Sequence, residues 1–442
     1  MTIALGIDLG TTKAAAVLLD LEADTVLASQ SAPHHATLAA PAGYAEQDPQ
    51  TILDTAFQLV KALPLELRRE VKSVGVTGQM HSVTGWNAKT MFPLVTWQDR
   101  RAGGRAAEWS RQTGCPLRDG FGGTTLAWLA ERGKLGECEA ASTIGDALVR
   151  LLTGAERPVT DPTDAASWGL YDVAAGNWNF AAAKMLGIPE RLLPEIRPTG
   201  SVAGRLSESV AAELGLTPGI PVAAAVGDNQ ASILDCGREF EREIYLTIGT
   251  GSQLSLVVSN EESGRFAGIP ELELRPFTAG RVLVVAAPLC GGRAFAWLGE
   301  TTARWLAAFG AEVPPPPQLL DRLDAMGMAE SPDGLAVTPS FLGERHDPER
   351  RGSIGGITPE NFTPGKLAAA LAEGIVRNLK SGFPEGAFAG RTRIVCSGNG
   401  VRRVQCVRRA IRGQFRLEPT LRPDREEAAC GCARLSASGN RI

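Results

Sequence analysis

The sequence has no long apolar run, few histidines and no closely spaced cysteines, and each absence argues against a class of protein. No apolar segment approaches the roughly 20 residues that span a bilayer, so a membrane helix is not expected. The first residues lack the basic segment and apolar core of a signal peptide, and we expect a cytoplasmic protein with no membrane partner. The eight cysteines include no Cys-x-x-Cys pair and only four histidines are present, which argues against a zinc site or a His-rich metal centre.

The sequence also lacks a large net charge and a Walker-type phosphate loop. A formal net charge of −4 provides no global attraction for nucleic acid, and no nucleic-acid partner is expected. The pattern Gly-x-x-x-x-Gly-Lys-Ser/Thr is absent, so a P-loop kinase is not supported. What the sequence does have is 442 residues, of which 44% are hydrophobic and 21% are charged. This length and composition are typical of a soluble globular protein with two or more domains.

A strand and a glycine turn open the sequence. Residues 3–9 alternate large apolar side chains with small ones, which predicts a strand that buries one face. Asp8 lies on the other face, where a carboxylate needs a partner and where neighbouring glycines leave room for one. The turn at Gly10, Thr11 and Thr12 adds N–H groups and hydroxyls. The stretch fits a phosphate-binding hairpin with Asp8 facing a metal-bound nucleotide, and it also fits a tight turn with a solvated Asp.

The same pattern returns in the second half of the sequence. The apolar residues 244–248 and 252–258 flank a second turn at Gly249, Thr250 and Gly251. The repeat predicts two similar halves that each contribute one phosphate-binding hairpin to a shared cleft.

Polar side chains follow two of the predicted strands in the first half, at the strand ends where open α/β sheets bind ligands. These are Gln79, Met80 and His81 after the strand 71–76, and Trp97 and Asp99 at the end of the strand that begins at residue 94. A Trp can form the wall of a sugar site, with an acid as a hydroxyl partner. The alternatives are a hydrogen-bonded histidine with no ligand and a core Trp beside a surface ion pair.

Three further positions in the second half are candidates for chemistry. Asp228 follows a buried strand and begins a predicted helix, where an Asp is usually an N-cap; its place ahead of the second hairpin also fits a general base. Gly291 and Gly292 lie between an apolar strand and a predicted helix. The segment 397–399, Ser-Gly-Asn, ends another strand, where small residues let a flat ring approach the backbone.

These segments together resemble the FGGY carbohydrate kinases, a family of the actin-like ATPase superfamily. The resemblance runs from residue 5 to about residue 431, and among subfamilies it is strongest to the sedoheptulokinases. The Trp-Gln-Asp at 97–99 and the Ala-Ser-Trp-Gly at 166–169 are its more specific parts, whereas Gln-Met-His is shared with xylulokinases. The resemblance implies an α/β fold of two duplicated ribonuclease-H-like domains around a central cleft. Residues 1–225 would form the first domain and residues 226–442 the second.

The resemblance also implies a reaction, the ATP-dependent phosphorylation of the primary hydroxyl of a ketose, with sedoheptulose 7-phosphate as the product. Asp228 would be the general base, and Asp8 would hold Mg²⁺ directly or through water. ATP would be bound by Gly10, Thr11, Thr12, Lys13, Gly249, Thr250, Gly251, Gly291, Gly292, Ser397, Gly398 and Asn399. The sugar would be bound by Gln79, Met80, His81, Trp97, Asp99 and Asn229. The expected partners are therefore a small sugar and ATP, for a chain that is a monomer or a homodimer.

Several residues depart from the family pattern. Lys13 stands where many members have Ser, and Ala15 where a Lys or Arg is common, so rearranged phosphate contacts are expected. Ser82 replaces a Gly after Gln-Met-His and is expected to add a hydroxymethyl group near the sugar. Cys430 and Cys432 flank Gly431 where a Leu-Gly-Ala type of segment is usual.

Two alternatives of function follow from the same residues. One is a kinase for xylulose or another polyol, and the other is an actin-like ATPase that acts as a conformational switch. Asp228 together with the polar segments at 79–81 and 97–99 favours a sugar acceptor over a switch. A catalytically inactive relative would be favoured by the loss of Asp8 or Asp228, and both are present.

Overall fold

The computed structural model describes residues 1–87, 90–249, 251–278, 280–344, 346–347, 349–422 and 425–438. The chain forms two compact units. Unit 1 consists of Met1–Cys236, Pro276–Ala279 and Arg425–Ile442, and unit 2 consists of Gly237–Arg275 and Gly280–Asp424. The domain boundary expected from the sequence lies at 225/226, whereas the compact units divide after Cys236 and the C-terminal residues return to unit 1.

The strands of unit 1 come first in the chain, and those from β16 onward form the sheets of unit 2. In chain order the strands are β1 (Ile3–Leu9), β2 (Lys13–Asp20), β3 (Thr25–Pro33), β4 (Glu46–Gln47), β5 (Val71–Gly78), β6 (Thr84–Trp86), β7 (Leu94–Val95), β8 (Ala140–Ser142), β9 (Val159–Thr160), β10 (Tyr171–Asp172), β11 (Asn177–Trp178), β12 (Glu195–Ile196), β13 (Val202–Arg205), β14 (Pro221–Ala223), β15 (Val226–Gly227), β16 (Glu243–Ile248), β17 (Ser252–Ser259), β18 (Leu272–Pro276), β19 (Arg281–Ala286), β20 (Ala336–Thr338), β21 (Ser353–Gly355), β22 (Arg393–Ser397) and β23 (Pro419–Leu421).

The helices of unit 1 are α1 to α9 and the last helix, α16, while α10 to α15 belong to unit 2. In chain order they are α1 (Pro49–Ala62), α2 (Leu65–Arg69), α3 (Arg105–Thr113), α4 (Gly122–Glu131), α5 (Ile144–Thr153), α6 (Pro162–Ser167), α7 (Phe180–Met185), α8 (Glu208–Leu214), α9 (Asp228–Cys236), α10 (Asn260–Ser263), α11 (Gly292–Ala308), α12 (Pro316–Ala329), α13 (Pro364–Lys380), α14 (Asn399–Arg403), α15 (Gln405–Phe415) and α16 (Glu427–Ser438). Within the described ranges, no helix has both the length and the apolar character needed to cross a bilayer.

A seven-stranded sheet forms the centre of unit 1. Its order is β13-β14-β5-β1-β2-β3, and β15 pairs with β5 beyond the end of β14. Strands β1, β2 and β3 are antiparallel neighbours, whereas β5 runs parallel to β1, and β14 and β15 run parallel to β5. The alternation predicted for the first strand is confirmed, because Ile3, Leu5, Ile7 and Leu9 are all buried in one core.

The small residues of the same strands receive the last helix, α16. A Cβ added to Gly6 would lie 1.9 Å from the carbonyl oxygen of Ala429, and one added to Gly75 would lie 2.0 Å from that of Cys432. Gly431 of α16 approaches α9 as closely, since its added Cβ would lie 1.7 Å from the carbonyl oxygen of Ala231. Only glycine tolerates such contacts, so these three positions explain why α16 packs directly against β1, β5 and α9.

Unit 2 repeats the strand topology of unit 1. Its six-stranded sheet has the order β18-β19-β17-β16-β22-β23. Strands β16, β17 and β19 are antiparallel neighbours like β1, β2 and β3, and β22 and β23 continue the sheet in parallel like β5 and β14. A separate apolar core, which includes Leu246, Leu256, Leu371 and Ile394, lies within this unit. The duplication predicted from the two glycine turns is confirmed by this shared topology.

Candidate active site

The two candidate catalytic carboxylates of unit 1 lie on either side of β5. Asp8 of β1 pairs in register with Thr77 of β5, and Val226 of β15 pairs with the same Thr77 from the other side. Asp228 begins α9 directly after β15, and its Oδ1 accepts a 2.7 Å hydrogen bond from the amide of Asn229. The carboxyl ends of neighbouring parallel strands therefore bring both acids to one edge of the sheet.

The electrostatics of Asp8 are set by its burial and by the charged groups around it. Burial, and next to it the negative charges of Asp228 and Glu426, raise the pKa of Asp8 to about 7, and Lys13 opposes the shift. Its Oδ1 is buried and has no hydrogen-bond partner in the described part of the chain. A buried carboxylate oxygen without a donor, beside a second carboxylate, fits a hard divalent cation such as Mg²⁺.

The described residues supply few ligands for such a cation. They contain no group of three or more His, Cys, Asp or Glu side chains arranged to hold a metal. Mg²⁺ is commonly held by one or two carboxylates together with water and substrate phosphates, so the residues present fit Mg²⁺ that arrives with a nucleotide.

The first glycine turn is held by three side chains, of which Trp97 was singled out from the sequence, whereas Gln47 and His34 were missed. Gln47 donates from Nε2 to the carbonyl of Thr11 at 2.7 Å, and Trp97 donates from Nε1 to the Thr11 hydroxyl at 2.9 Å. His34 Nδ1 accepts from the amide of Ala36, so the proton of the neutral ring is on Nε2, which lies 3.2 Å from the carbonyl of Gly10. Burial lowers the pKa of His34, which keeps the ring neutral. These contacts fix the turn.

Lys13, predicted to bind phosphate, is paired within the protein. Its Nζ lies 2.8 Å and 2.7 Å from the two carboxylate oxygens of Glu426, just ahead of α16. The side chain of Lys13 remains about half exposed. Lys13, which departs from the family pattern, thus contacts the C-terminal segment of unit 1.

Four of the predicted sugar-binding residues surround the end of β5 and the start of α9. Gln79 donates from Nε2 to Gln47 at 2.8 Å, while its Oε1 is buried with no partner among the described residues. Asn229 likewise has a buried Nδ2 without a partner in the described ranges. Met80 packs against Gly227, where an added Cβ would lie 2.7 Å from its sulfur. Buried amide groups with unused hydrogen-bonding capacity fit a polyhydroxylated ligand.

His81 is held in a left-handed backbone conformation, with φ of 69°. Its amide donates to Ser167 Oγ at 3.0 Å, its Nδ1 donates to the carbonyl of Ser167 at 2.7 Å, and its ring stacks on Phe121 with centroids 4.4 Å apart. Because a carbonyl only accepts, the proton is on Nδ1, and Nε2 of the neutral ring is an acceptor. Ser82 is fully buried and donates to the carbonyl of Gln79 at 2.9 Å, so its hydroxyl has a structural role.

The structure separates Trp97 from Asp99. Trp97 is 36% exposed, whereas Asp99 is buried and accepts from the amide of Ala45 at 2.8 Å and from the guanidinium of Arg101 at 2.9 Å. Arg101 also reaches Glu46 at 2.7 Å. The carboxylate of Asp99 is therefore occupied by protein donors, and its predicted contact with a sugar hydroxyl stays a prediction.

The predicted ATP-binding residues of unit 2 come together around its own glycine turn. The amide of Gly292, the first residue of α11, donates to the carbonyl of Gly249 at 2.8 Å. An added Cβ would lie 2.4 Å from Gly249 O at Gly292, 2.3 Å from Gly251 O at Gly291 and 2.3 Å from Ile248 O at Gly398. Three backbone segments thus pack against one another so closely that only glycine fits at these positions.

The remaining predicted positions of unit 2 border this glycine cluster. Ser397 ends β22, and its hydroxyl lies 2.7 Å from that of Thr247. Asn399 begins α14. Thr250, the middle residue of the predicted turn, lies outside the described residues.

Comparison with known proteins gives the family and the fold of the chain. A family model described as the N-terminal domain of the FGGY family of carbohydrate kinases matches residues 3–235. The chain is 32% identical to the sedoheptulokinase of Homo sapiens, over 98% of this chain and 96% of that protein. Its structure is similar to that of the xylulose kinase from Rhodospirillum rubrum, with a TM-score of 0.85, 25% identity and coverage of 99% and 90% of the two chains. The glycerol kinase of Plasmodium falciparum with ADP has the same fold, with a TM-score of 0.76, 20% identity and coverage of 98% and 89%.

Proposed function

Since the chain belongs to the FGGY family of carbohydrate kinases, we propose that it transfers the γ-phosphoryl group of ATP to the primary hydroxyl of a ketose, with sedoheptulose as the preferred acceptor. The family and the similarity to a sedoheptulokinase along nearly the whole chain support the reaction and the substrate. The observation that carries the chemistry is the pair of carboxylates, Asp8 and Asp228, beside β5. The negative charge of Asp228 adds to the effect of burial in raising the pKa of Asp8.

Asp228 is the general base of the proposed reaction. Its carboxylate removes the proton of the attacking primary hydroxyl, which then forms the new bond to the γ-phosphorus as the bond to the β-γ bridging oxygen of ATP breaks. Phosphoryl transfer needs positioning and charge neutralisation more than covalent chemistry, so one aligned base is sufficient. Asp228 is the first residue of α9 and directly follows β15, and this position supports its role as the base.

Asp8 is the metal-holding residue of the proposal. Mg²⁺, when bound, neutralises charge on the transferred phosphate. The buried, unpartnered oxygen of Asp8 and its raised pKa support the assignment. Gln79, His81 and Asn229 orient the sugar, the turn that contains Gly249 holds phosphate, and Gly291, Gly292 and Gly398 bind the adenosine side of ATP.

A panel of acceptors tests the substrate. Wild-type protein is assayed for ATP consumption with sedoheptulose, xylulose and glycerol, and the product is identified by mass spectrometry. We expect the highest kcat/KM with sedoheptulose. A higher value with xylulose would replace the proposed substrate by the second candidate, which the likeness to a xylulose kinase structure favours. ATP consumption without any sugar phosphate would contradict the kinase and favour an ATPase switch.

Asp228→Asn tests the base. The amide has nearly the same size but cannot accept the proton, so we expect kcat to fall by about 10²–10⁴-fold. ATP binding, measured by calorimetry, should remain. Normal turnover of the variant would show that another group accepts the proton.

A further inference from the structure

Helix α6 begins at a carboxylate whose two oxygens both accept hydrogen bonds. Asp161, its N-cap, is fully buried, and its Oδ1 accepts from the amides of Thr163 and Asp164 at 2.9 Å and 3.0 Å. The same oxygen accepts from the Thr163 hydroxyl at 2.6 Å, and Oδ2 accepts from the Thr199 hydroxyl at 2.7 Å. Because four donors bind one buried carboxylate, the backbone at the start of α6 is fixed in one conformation.

The Thr163 hydroxyl connects this helix to the residue before Asp228. Thr163 Oγ1 accepts from the amide of Gly227 at 2.8 Å, and its single proton is donated to Asp161. The carbonyl of Val226 accepts from the Thr77 hydroxyl of β5 at 2.6 Å. This carbonyl and the Gly227 amide belong to the Val226–Gly227 peptide group, so two threonine hydroxyls hold both polar atoms of a peptide one residue ahead of Asp228.

The other end of α6 holds His81. Ser167 Oγ donates to the carbonyl of Asp164 at 2.7 Å and accepts from the His81 amide, while the Ser167 carbonyl accepts from the His81 ring. A left-handed backbone at a residue other than glycine costs roughly 1–3 kcal/mol and persists only when its surroundings impose it. The two hydrogen bonds that His81 donates to Ser167 and the stacking of its ring on Phe121 are contacts that hold this conformation.

We infer that α6 is the positioning element of the site, in which Thr163 sets the backbone that carries Asp228 and Ser167 sets the backbone and ring of His81. The inference rests on the proposed function for the roles of Asp228 and His81. Neither Thr163 nor Ser167 touches the reacting atoms in this assignment. The helix is short and buried, so it places the base and the sugar-pocket histidine relative to each other.

Two variants separate the two ends of the helix. Thr163→Val removes the hydroxyl at nearly constant volume, and we expect kcat to fall at least about tenfold while KM for the ketose changes less than about twofold, because only the base is displaced. Ser167→Ala removes one of the two bonds to His81, and we expect KM for the ketose to rise at least about fivefold while kcat changes less than about twofold. Thr163→Ser, which keeps the hydroxyl, should recover most of kcat.

Thr199→Val is the matched control, because Thr199 donates to the same Asp161 but makes no contact with Gly227. We expect it to lower the melting temperature while kcat stays within about twofold of wild type. A loss of kcat equal to that of Thr163→Val, or no effect of Thr163→Val on kcat, would overturn the assignment. The same change in kcat and KM for both α6 variants would also overturn it.

Hydrogen exchange distinguishes this inference from the proposed function. Without substrate, the amides of residues 227–230 should exchange faster in Thr163→Val than in Thr199→Val. Equal exchange in the two variants would overturn the inference even if wild-type protein phosphorylates sedoheptulose. Faster exchange in Thr163→Val, with a wild-type protein that phosphorylates no ketose, would support the positioning of this segment and contradict the proposed reaction.

Discussion

The hairpins of the two units share a topology, and one of the positions at which their residues differ lies two residues before the first turn glycine. Two positions ahead of the first turn glycine, β1 has Asp8 opposite Thr77, and β16 has Thr247 opposite Ser397. Thr247 and Ser397 satisfy each other with a 2.7 Å hydrogen bond, whereas Asp8 keeps a buried oxygen without a partner in the described ranges. The duplicated fold therefore provides the same position twice, and in unit 1 it holds a carboxylate, to which we have assigned the metal in the proposed function.

Asp8→Thr places the unit 2 residue in unit 1 and should have the largest effect among the substitutions that compare the two hairpins. We expect kcat to fall by about 10²–10³-fold, the size typical for loss of one electrostatic contact to a developing charge. The Mg²⁺ concentration for half-maximal rate should rise or the Mg²⁺ dependence should disappear. The folded protein should become more resistant to urea, because a buried carboxylate without a donor is removed.

Thr247→Val is the counterpart of that change in unit 2. It breaks the pair with Ser397 beside the glycine cluster, so KM for ATP is expected to change while the Mg²⁺ profile keeps its wild-type shape. An unchanged Mg²⁺ profile in Asp8→Thr, or a shifted one in Thr247→Val, would remove the functional distinction between the two hairpins.

Gly292→Ala tests the unit 2 side of the comparison and should have an intermediate effect. The added Cβ would lie 2.4 Å from the carbonyl oxygen of Gly249, so the turn or the start of α11 must shift. We expect KM for ATP to rise about tenfold, with a smaller change in KM for the sugar. Gly413→Ala in α15 is the control, since nothing lies within 4 Å of its added Cβ. An equal effect of both substitutions would argue against a special role of the glycine cluster.

Local patterns were sufficient to predict both hairpins and the sheet edge. The alternation of residues 3–9 predicted a strand with its large side chains on one face, which the structure confirms, while α16 buries the face of the small residues as well. Two glycines between β16 and β17, Gly249 and Gly251, indicated the second turn. Asp228 was recognised as the first residue of a helix after a buried strand, which is where the structure has it.

Contacts between distant parts of the chain had no local signal. The space beside Gly6 was interpreted as room for a ligand, and the backbone of Ala429 occupies it. Likewise, nothing in the stretch around Gln47 showed that its amide bridges the Thr11 carbonyl and Gln79. The sequence also did not show that the Asp99 carboxylate accepts from the distant amide of Ala45, and the expected contact of Asp99 with the sugar stays a prediction. Such roles depend on tertiary partners that a single sequence does not reveal.

The buried acids extend the comparison from the hairpins to the interiors of the units. In unit 1, burial raises the pKa of Asp146 to about 8, against hydrogen bonds from Thr143 and Thr160, and the neighbouring Asp161 adds to the shift. In unit 2, burial alone would raise the pKa of Glu243, but donors from Tyr245, Arg238 and Arg393 lower it below its usual range. Unit 1 therefore has a carboxyl that resists ionisation, and unit 2 has one that favours it.

Asp146→Asn should have the smallest effect and the clearest pH dependence. A folded-state pKa above the unfolded value means that this group's contribution to stability is complete below about 4 and is lost as the pH rises toward about 8. The amide does not ionise and can still accept from the Thr143 amide as the third residue of α5. The free energy of unfolding of the variant, relative to wild type, should thus increase between pH 5 and pH 8, by at most about 1.4 kcal/mol per pH unit.

Glu243→Gln gives the opposite case in unit 2. Because the pKa of Glu243 is lowered on folding, its contribution is lost only as the pH falls below the ordinary carboxyl range, and the penalty of the substitution should be constant between pH 5 and pH 8. Unfolding in urea, followed by hydrogen exchange of peptides from each unit, measures the stability of each unit separately in both variants. Separate measurement is needed because two units need not unfold together. A pH-independent effect of Asp146→Asn would show that this carboxyl ionises as freely in the fold as in the unfolded chain. The two units would then differ at their hairpins but not in their interiors.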